Sequence, residues 1–163
     1  MSQKKPLTLR GYRTLMAEHE QLTKVERPRV VVGVTNAAAE GDRSENAEYI
    51  YGKKRLREID KRLQYLSSLL GEVEIVDPAT LTGDKVCFGA TVVIEEDSGA
   101  VKKWQIVGEG ESDTAQGTIS WKSPMARALL GKRVGDSVVV ERPAGEVEVE
   151  VRELWFGERR VSE

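Results

Sequence analysis

Apolar residues in the first half of the chain recur with the period of an α-helix. The clearest series, at spacings of three and four residues, consists of Leu56, Ile59, Leu63, Leu66 and Leu70. This spacing is typical of a coiled-coil seam. Gly71 follows the series, so we expect the helix to end there, with this glycine just beyond it.

A second helical pattern precedes this one. Thr8 suits the cap position of a helix that begins near Leu9. Pro28 should kink or break that helix, because proline lacks the backbone donor and clashes with the preceding turn. Apolar residues then resume, and Gly41 is expected to end the helix. Together the two patterns predict an antiparallel coiled-coil hairpin whose tip lies at residues 40–46.

Glycines are frequent in the second half of the chain, where valines alternate with polar residues. Such alternation is typical of strands with one face in water. We predict strands at 91–94, 104–107, 138–140 and 147–151, of which the last two form a hairpin around Ala144 and Gly145, and a short helix at 125–130 opened by Ser123 and Pro124. The predicted fold class is therefore α+β. A hairpin domain occupies 1–77, and a mostly antiparallel sheet with one short helix occupies 78–163.

Composition narrows the possible functions. The chain has 163 residues, 32% of them charged, and a net charge of −2. No apolar run approaches the ~18 residues of a membrane helix, and the N-terminal sequence lacks the apolar core of a secretory signal. We therefore expect a cytoplasmic protein with no membrane partner. A single cysteine, Cys87, and a single histidine, His19, argue against disulfides, metal sites rich in either residue and a Ser-His-Asp triad.

The densest polar segment is GDRSENAEY at residues 41–49. Asp42 with Glu45 three residues later matches a capping box for the second helix. A second interpretation is that the two carboxylates supply hard oxygen ligands to a divalent cation. Because two carboxylates alone make a poor site, they would complete one whose other ligands belong to a partner. The two interpretations are compatible.

A basic run follows this segment. Residues 53–62 contain six Lys and Arg against two Asp and Glu. Lys53, Lys54, Arg57 and Lys61 can share one face of a helix by their spacing. This face is either an ordinary solvated surface or a binding site for the phosphates of a nucleic acid. Tyr49 and Tyr51 lie beside it in the sequence and could stack on bases, or pack within the hairpin.

Two further interpretations concern the second half. Pro124 and Met125 belong either to the core side of the short helix or to an exposed docking patch. Cys87 and the three tryptophans, Trp104, Trp121 and Trp155, are expected to be core residues.

The 41–49 segment and the basic run closely resemble the bacterial Gre transcript-cleavage factors, the GreB type more than GreA. The second half agrees through FGA at 88–90, IVG at 106–108 and SPMARALL at 123–130. The match spans essentially the whole chain in the order of the family. It implies an N-terminal coiled-coil hairpin and a C-terminal domain of FKBP-like fold.

The resemblance also implies a function. Gre factors dock on bacterial RNA polymerase, on the rim coiled coil of the β′ subunit, through a segment that corresponds here to Lys122, Ser123, Pro124 and Met125. The hairpin then enters the secondary channel. Its tip acids, corresponding to Asp42 and Glu45, help the polymerase hold a second Mg²⁺. The polymerase then hydrolyses the backtracked RNA and removes its 3′ end.

On this resemblance the chain is not itself an enzyme, needs no cofactor when isolated and is a monomer. The basic face would hold the nascent RNA 3′ end. The chain departs from the family at Lys122, where members carry Asp or Asn, and in its C-terminal residues 155–163, to which no function is assigned. Two rival functions remain open. They are a channel-binding inhibitor without cleavage stimulation, and an FKBP-like prolyl isomerase.

Overall fold

The computed structural model describes residues 4–40 and 46–162, and it divides the chain into two compact units. One unit is Arg13–Glu72, and the other combines the described part of Met1–Tyr12 with that of Val73–Glu163. The sequence puts the boundary at 77/78, whereas the contacts within the fold group residues up to Tyr12 with those from Val73 onward. The physical reason is a parallel strand pair that the sequence did not predict, in which β1 (Lys5–Thr8) lies beside β2 (Val73–Val76).

The first arm of the hairpin consists of α1 (Leu9–Gln21), a π-helical turn (Leu22–Glu26) and α2 (Arg27–Ala39). The predicted start of α1 is confirmed, because Thr8 Oγ1 accepts a hydrogen bond of 3.1 Å from the backbone N–H of Gly11. The helical run does not end at Pro28, however. This residue lies in the first turn of α2, directly after the π turn, where the loss of its donor interrupts the ladder least.

The second arm is a single helix, α3 (Ala47–Gly71). The predicted seam is confirmed at its centre, where Ile59 and Leu66 are fully buried. Leu69 is buried as well. Gly71 is the last helical residue rather than the residue beyond the helix, because Glu72 occupies the capping position directly before β2 begins.

The other unit is built on a six-stranded sheet. Its strands are β3 (Thr91–Glu96), β4 (Val101–Val107), β5 (Thr118–Ser120), β6 (Ser137–Arg142), β7 (Gly145–Phe156) and β8 (Arg159–Arg160). The strand order is β5-β4-β3-β7-β6, with β8 paired to β7. All neighbouring strands are antiparallel except β4 and β5. The short helix α4 (Pro124–Leu129) packs Leu129 into the core. The predicted α+β fold class and the β6–β7 hairpin are therefore confirmed.

The C-terminal residues, which had no predicted function, complete this core. Phe156 is fully buried, β8 folds back on β7, and Val161 is buried after it. Arg159 lies over the Phe156 ring at 5.4 Å from its centroid and donates a hydrogen bond of 2.8 Å to the carbonyl of Leu81. This tail is therefore a structural part of the sheet unit.

A partly buried carboxylate holds the beginning of the chain within the same unit. Glu111 accepts a hydrogen bond of 2.8 Å from the backbone N–H of Thr8 and a second from its hydroxyl. Gly11 allows the approach, because a Cβ at that position would collide with this carboxylate. Burial raises the pKa of Glu111, against the effect of the hydrogen bonds from Thr8.

None of the helices within residues 4–40 and 46–162 has the length and apolar character of a membrane-spanning helix.

Candidate functional sites

Asn46 directly follows the segment 41–45, and its side chain forms hydrogen bonds with both arms. Its Oδ1 accepts from the backbone N–H of Tyr49 at 3.1 Å, which makes Asn46 the N-cap of α3. Its Nδ2 donates to the carbonyl of Ala37 in α2 at 2.8 Å. The predicted capping box of Asp42 and Glu45 for this helix is therefore wrong, because α3 begins after Asn46. Asp42 and Glu45 themselves lie outside the residues that the structure describes.

The two arms approach each other closely just beyond this cap. Gly52 of α3 is buried, and a Cβ added there would lie 2.5 Å from Cγ2 of Val34 in α2. Since even an alanine would collide with a β-branched side chain, glycine at this position permits the contact between the helices. Near the segment 41–45 the two arms are thus joined by both a hydrogen bond and a tight packing contact.

The basic residues of α3 divide into two groups. Arg55 donates from Nε to Glu26 at 2.7 Å, and Arg62 donates from Nε and Nη2 to Glu18 at 2.6 and 2.9 Å. These bonds join the two arms. The hydrogen bond from Arg62 holds the pKa of Glu18 below its ordinary value. These two arginines therefore stabilise the hairpin.

The second group comprises the four residues that the sequence singled out, which we call the basic stripe: Lys53, Lys54, Arg57 and Lys61. All four are exposed on α3. None forms an ion pair with another residue in the part of the chain that the structure describes. Their charges are therefore available to an external anion, whereas those of Arg55 and Arg62 are used within the fold.

The residues next to the stripe include exposed apolar groups. Tyr51 is 72% exposed and Ile50 is 52% exposed, whereas Tyr49 is partly buried. Of the two tyrosines that the sequence proposed for base stacking, Tyr51 therefore has the accessible ring.

The predicted docking residues lie at the start of α4. Ser123 is the N-cap, and its hydroxyl accepts from the N–H of Ala126 at 3.3 Å. Pro124 is exposed in the first turn, whereas Met125 is partly buried and packs against the core. Lys122 is exposed, with its Nζ 3.1 Å from Glu109 Oε1 and 5.4 Å from the centre of the Trp121 ring.

Beside these residues the surface forms a groove of about 490 Å³. It is lined by Trp121, Lys122, Arg127 and Leu130. Sequence reasoning found only Lys122 of these four. Trp121 was expected to be a core residue, and both Trp121 and Leu130 do pack against the core. The sequence pattern does not show that these two residues also line a groove.

The two carboxylates predicted to share a metal are those of Asp42 and Glu45. Within residues 4–40 and 46–162, no three His, Cys, Asp or Glu side chains converge on a metal position. The donor chemistry of the tip pair suits Mg²⁺, since both side chains offer hard oxygen atoms. Two carboxylates leave most of an octahedral shell unfilled, so the remaining ligands would come from a partner.

The described residues thus form two units. The helical hairpin carries the basic stripe, and the sheet unit carries a partly apolar groove. Two family models match this chain. "Transcription elongation factor, N-terminal" covers residues 5–75, and "Transcription elongation factor, GreA/GreB, C-term" covers residues 81–155. The chain belongs to the GreA/GreB family of transcription elongation factors.

Curated relatives carry both names of the family. Transcription elongation factor GreB of Pasteurella multocida (strain Pm70) is 46% identical over 96% of this chain and 99% of its own length. Transcription elongation factor GreA of Nitratidesulfovibrio vulgaris is 44% identical over 95% and 98%. The crystal structure of GreA factor homolog 1 (Gfh1) of Thermus thermophilus is 26% identical, with a TM-score of 0.44, and the match covers 93% of this chain and 99% of that one.

Proposed function

We propose that this elongation factor binds bacterial RNA polymerase and stimulates the polymerase's own cleavage of backtracked RNA. The sheet unit docks on the rim coiled coil of the β′ subunit through Lys122, Ser123, Pro124 and Met125. The hairpin occupies the secondary channel and brings residues 41–45 to the active site. The chain acts as a monomer and does not cleave RNA by itself.

The observation that carries this proposal is the division of charge on α3. Arg55 and Arg62 are consumed by bonds between the arms, whereas the basic stripe has no such partners in the described chain. Four unpaired cations next to the tip segment attract the phosphates of an extruded RNA strand. Tyr51, with its exposed ring, offers a surface on which a base can stack.

The tip acids complete the proposed function. Asp42 and Glu45 would lend carboxylate oxygens to a Mg²⁺ whose other ligands the polymerase supplies. When bound, a second ion of this kind activates water and stabilises the charge that develops on the phosphate. The contribution of this chain is to place the two carboxylates, and Asn46 fixes where the following helix begins.

The test is RNA cleavage in a stalled, backtracked elongation complex, resolved on a gel with and without the protein. We expect the protein to shorten the RNA at its 3′ end and to allow elongation to resume. A protein that binds and slows the polymerase without cleavage would instead be an inhibitor, and the proposal would fail.

A matched pair of variants tests the basic stripe. Lys53→Ala combined with Arg57→Ala removes two stripe charges, whereas Arg13→Ala combined with Lys24→Ala removes two exposed charges elsewhere on the hairpin. Lys24 forms only an exposed ion pair with Glu20, and such pairs contribute little to stability. We expect the stripe variant to lose cleavage of deeply backtracked complexes by at least about tenfold. Equal losses in the two variants would contradict a specific contact with RNA.

A further inference from the structure

The groove beside α4 combines two apolar walls with two cations. Trp121 and Leu130 are both partly buried, so their exposed parts form a fixed apolar surface. Lys122 and Arg127 are exposed at the same groove. A partner that fills it must therefore offer an apolar side chain next to negative charge.

The two cations are engaged to different degrees. Lys122 is held over the Trp121 ring, and its ion pair with Glu109 has 55% and 45% of the two side chains exposed to solvent. Such an exposed pair is weak and easily exchanged, so an incoming carboxylate can replace Glu109. Arg127 forms no ion pair with any residue of the described chain. Its position in the last turn of α4 favours a cation, but it leaves the guanidinium open for a carboxylate.

The positive charge is also local. Residues 78–163 contain 11 Lys and Arg against 15 Asp and Glu. The groove therefore places two cations on a part of the chain that is otherwise acidic. Such a groove selects a partner by charge as well as by shape.

We propose that this groove receives an acidic segment of RNA polymerase, which inserts an apolar side chain between Trp121 and Leu130 and pairs carboxylates with Arg127 and Lys122. This inference rests on the proposed function and adds to it the sign of the partner's charge and the role of Arg127. Arg127 has the further advantage of its planar guanidinium, which can bind a carboxylate through two parallel hydrogen bonds.

The experiment is competition binding of the full-length chain to the polymerase of its own organism. Arg127→Glu and Lys122→Glu reverse the charges at the groove, and Lys103→Glu is the matched control. Lys103 is exposed on β4, does not line the groove and has no ion pair in the described structure. We expect each groove variant to bind at least about tenfold more weakly, and the control to bind within about twofold of the unmodified chain. Added salt should reduce the difference.

Two further variants separate charge from folding. Arg127→Lys keeps the charge and should retain more binding than Arg127→Gln, and thermal unfolding of all variants should match that of the unmodified chain. Binding by Arg127→Glu equal to that of Lys103→Glu, or tighter binding by either groove variant, would overturn the inference while leaving the proposed function intact. Failure of the unmodified chain to bind polymerase would overturn both.

Discussion

Asn46 and Ala37 join the two arms of the hairpin at the tip. The Asn46 amide donates to the Ala37 carbonyl at 2.8 Å, while the oxygen of the same side chain caps α3. One residue therefore caps the second helix and connects it to the first. The proposed role of residues 41–45 therefore depends on how Asn46 holds the start of α3.

Substitutions at Asn46 separate these two roles. Asn46→Asp keeps an oxygen for the cap, since Asp and Asn cap helices almost equally well, but it loses the amide donor to Ala37. Asn46→Ala loses both and should cost about 1 kcal/mol or more of unfolding free energy. We expect Asn46→Asp to be destabilised less than Asn46→Ala in urea unfolding, because it keeps the cap. Its RNA cleavage should nevertheless fall severalfold, because the tip has lost its tether. Full cleavage by Asn46→Asp would show that the bond to Ala37 has no part in function.

The packing of Gly52 on Val34 gives a second prediction. Gly52→Ala gains helix propensity worth about 1 kcal/mol, but overpacking typically costs about 1–3 kcal/mol. We expect the overpacking to dominate, because the added methyl would lie 2.5 Å from Val34. Adding Val34→Ala should restore much of the loss, which urea unfolding of the two single variants and the double variant would measure. Simple additivity of the two changes would contradict the contact.

The helices and the β6–β7 hairpin could be predicted because their patterns are local. Ile59 and Leu66 lie on one face at helical spacing, and valines alternate along β7. The β1–β2 pair could not be predicted in the same way. Its strands have four residues each and lie far apart in the chain, with Leu7 opposite Ile75. No short window of sequence contains both partners.

The candidate site was predictable only as a set of residue types. Sequence spacing placed six basic residues on one helix, but the acids that remove Arg55 and Arg62 from that set are Glu26 and Glu18, on the other arm. The cap shows the same limit. Asp42 and Asn46 are both good cap residues, and the sequence alone does not show that Asn46 is the one that caps α3 and contacts Ala37.

The pH dependence of stability should have opposite signs at two carboxylates. Burial raises the pKa of Glu111 above its ordinary value of 4.5. The stabilisation associated with its proton is complete below that value and is lost as pH rises through the pKa of the folded state. The free energy of unfolding of Glu111→Gln, relative to that of the unmodified chain, should therefore be higher at pH 7 than at pH 4. Urea unfolding at a series of pH values measures this difference.

Glu18 supplies the control for this prediction. Its pKa is lowered by the hydrogen bond from Arg62, so its stabilisation is present above the ordinary pKa and is lost as pH falls through the folded-state value. Glu18→Gln should be most destabilising near neutral pH and should approach the unmodified chain on acidification. The same pH trend in both variants would contradict the assignment of Glu111.

The proposed stimulation of cleavage depends most on the tip acids, Asp42 and Glu45. The direct measurement is single-turnover RNA cleavage in a backtracked complex across a Mg²⁺ titration, with Asp42→Asn and Glu45→Gln, and with polymerase binding and thermal unfolding measured alongside. Each amide preserves shape but loses the charge that a divalent cation requires. We predict at least about a tenfold loss of cleavage in each variant, partly restored by higher Mg²⁺, with binding and stability nearly unchanged. Near-normal cleavage by both variants would contradict the claim that these carboxylates complete the polymerase's metal site.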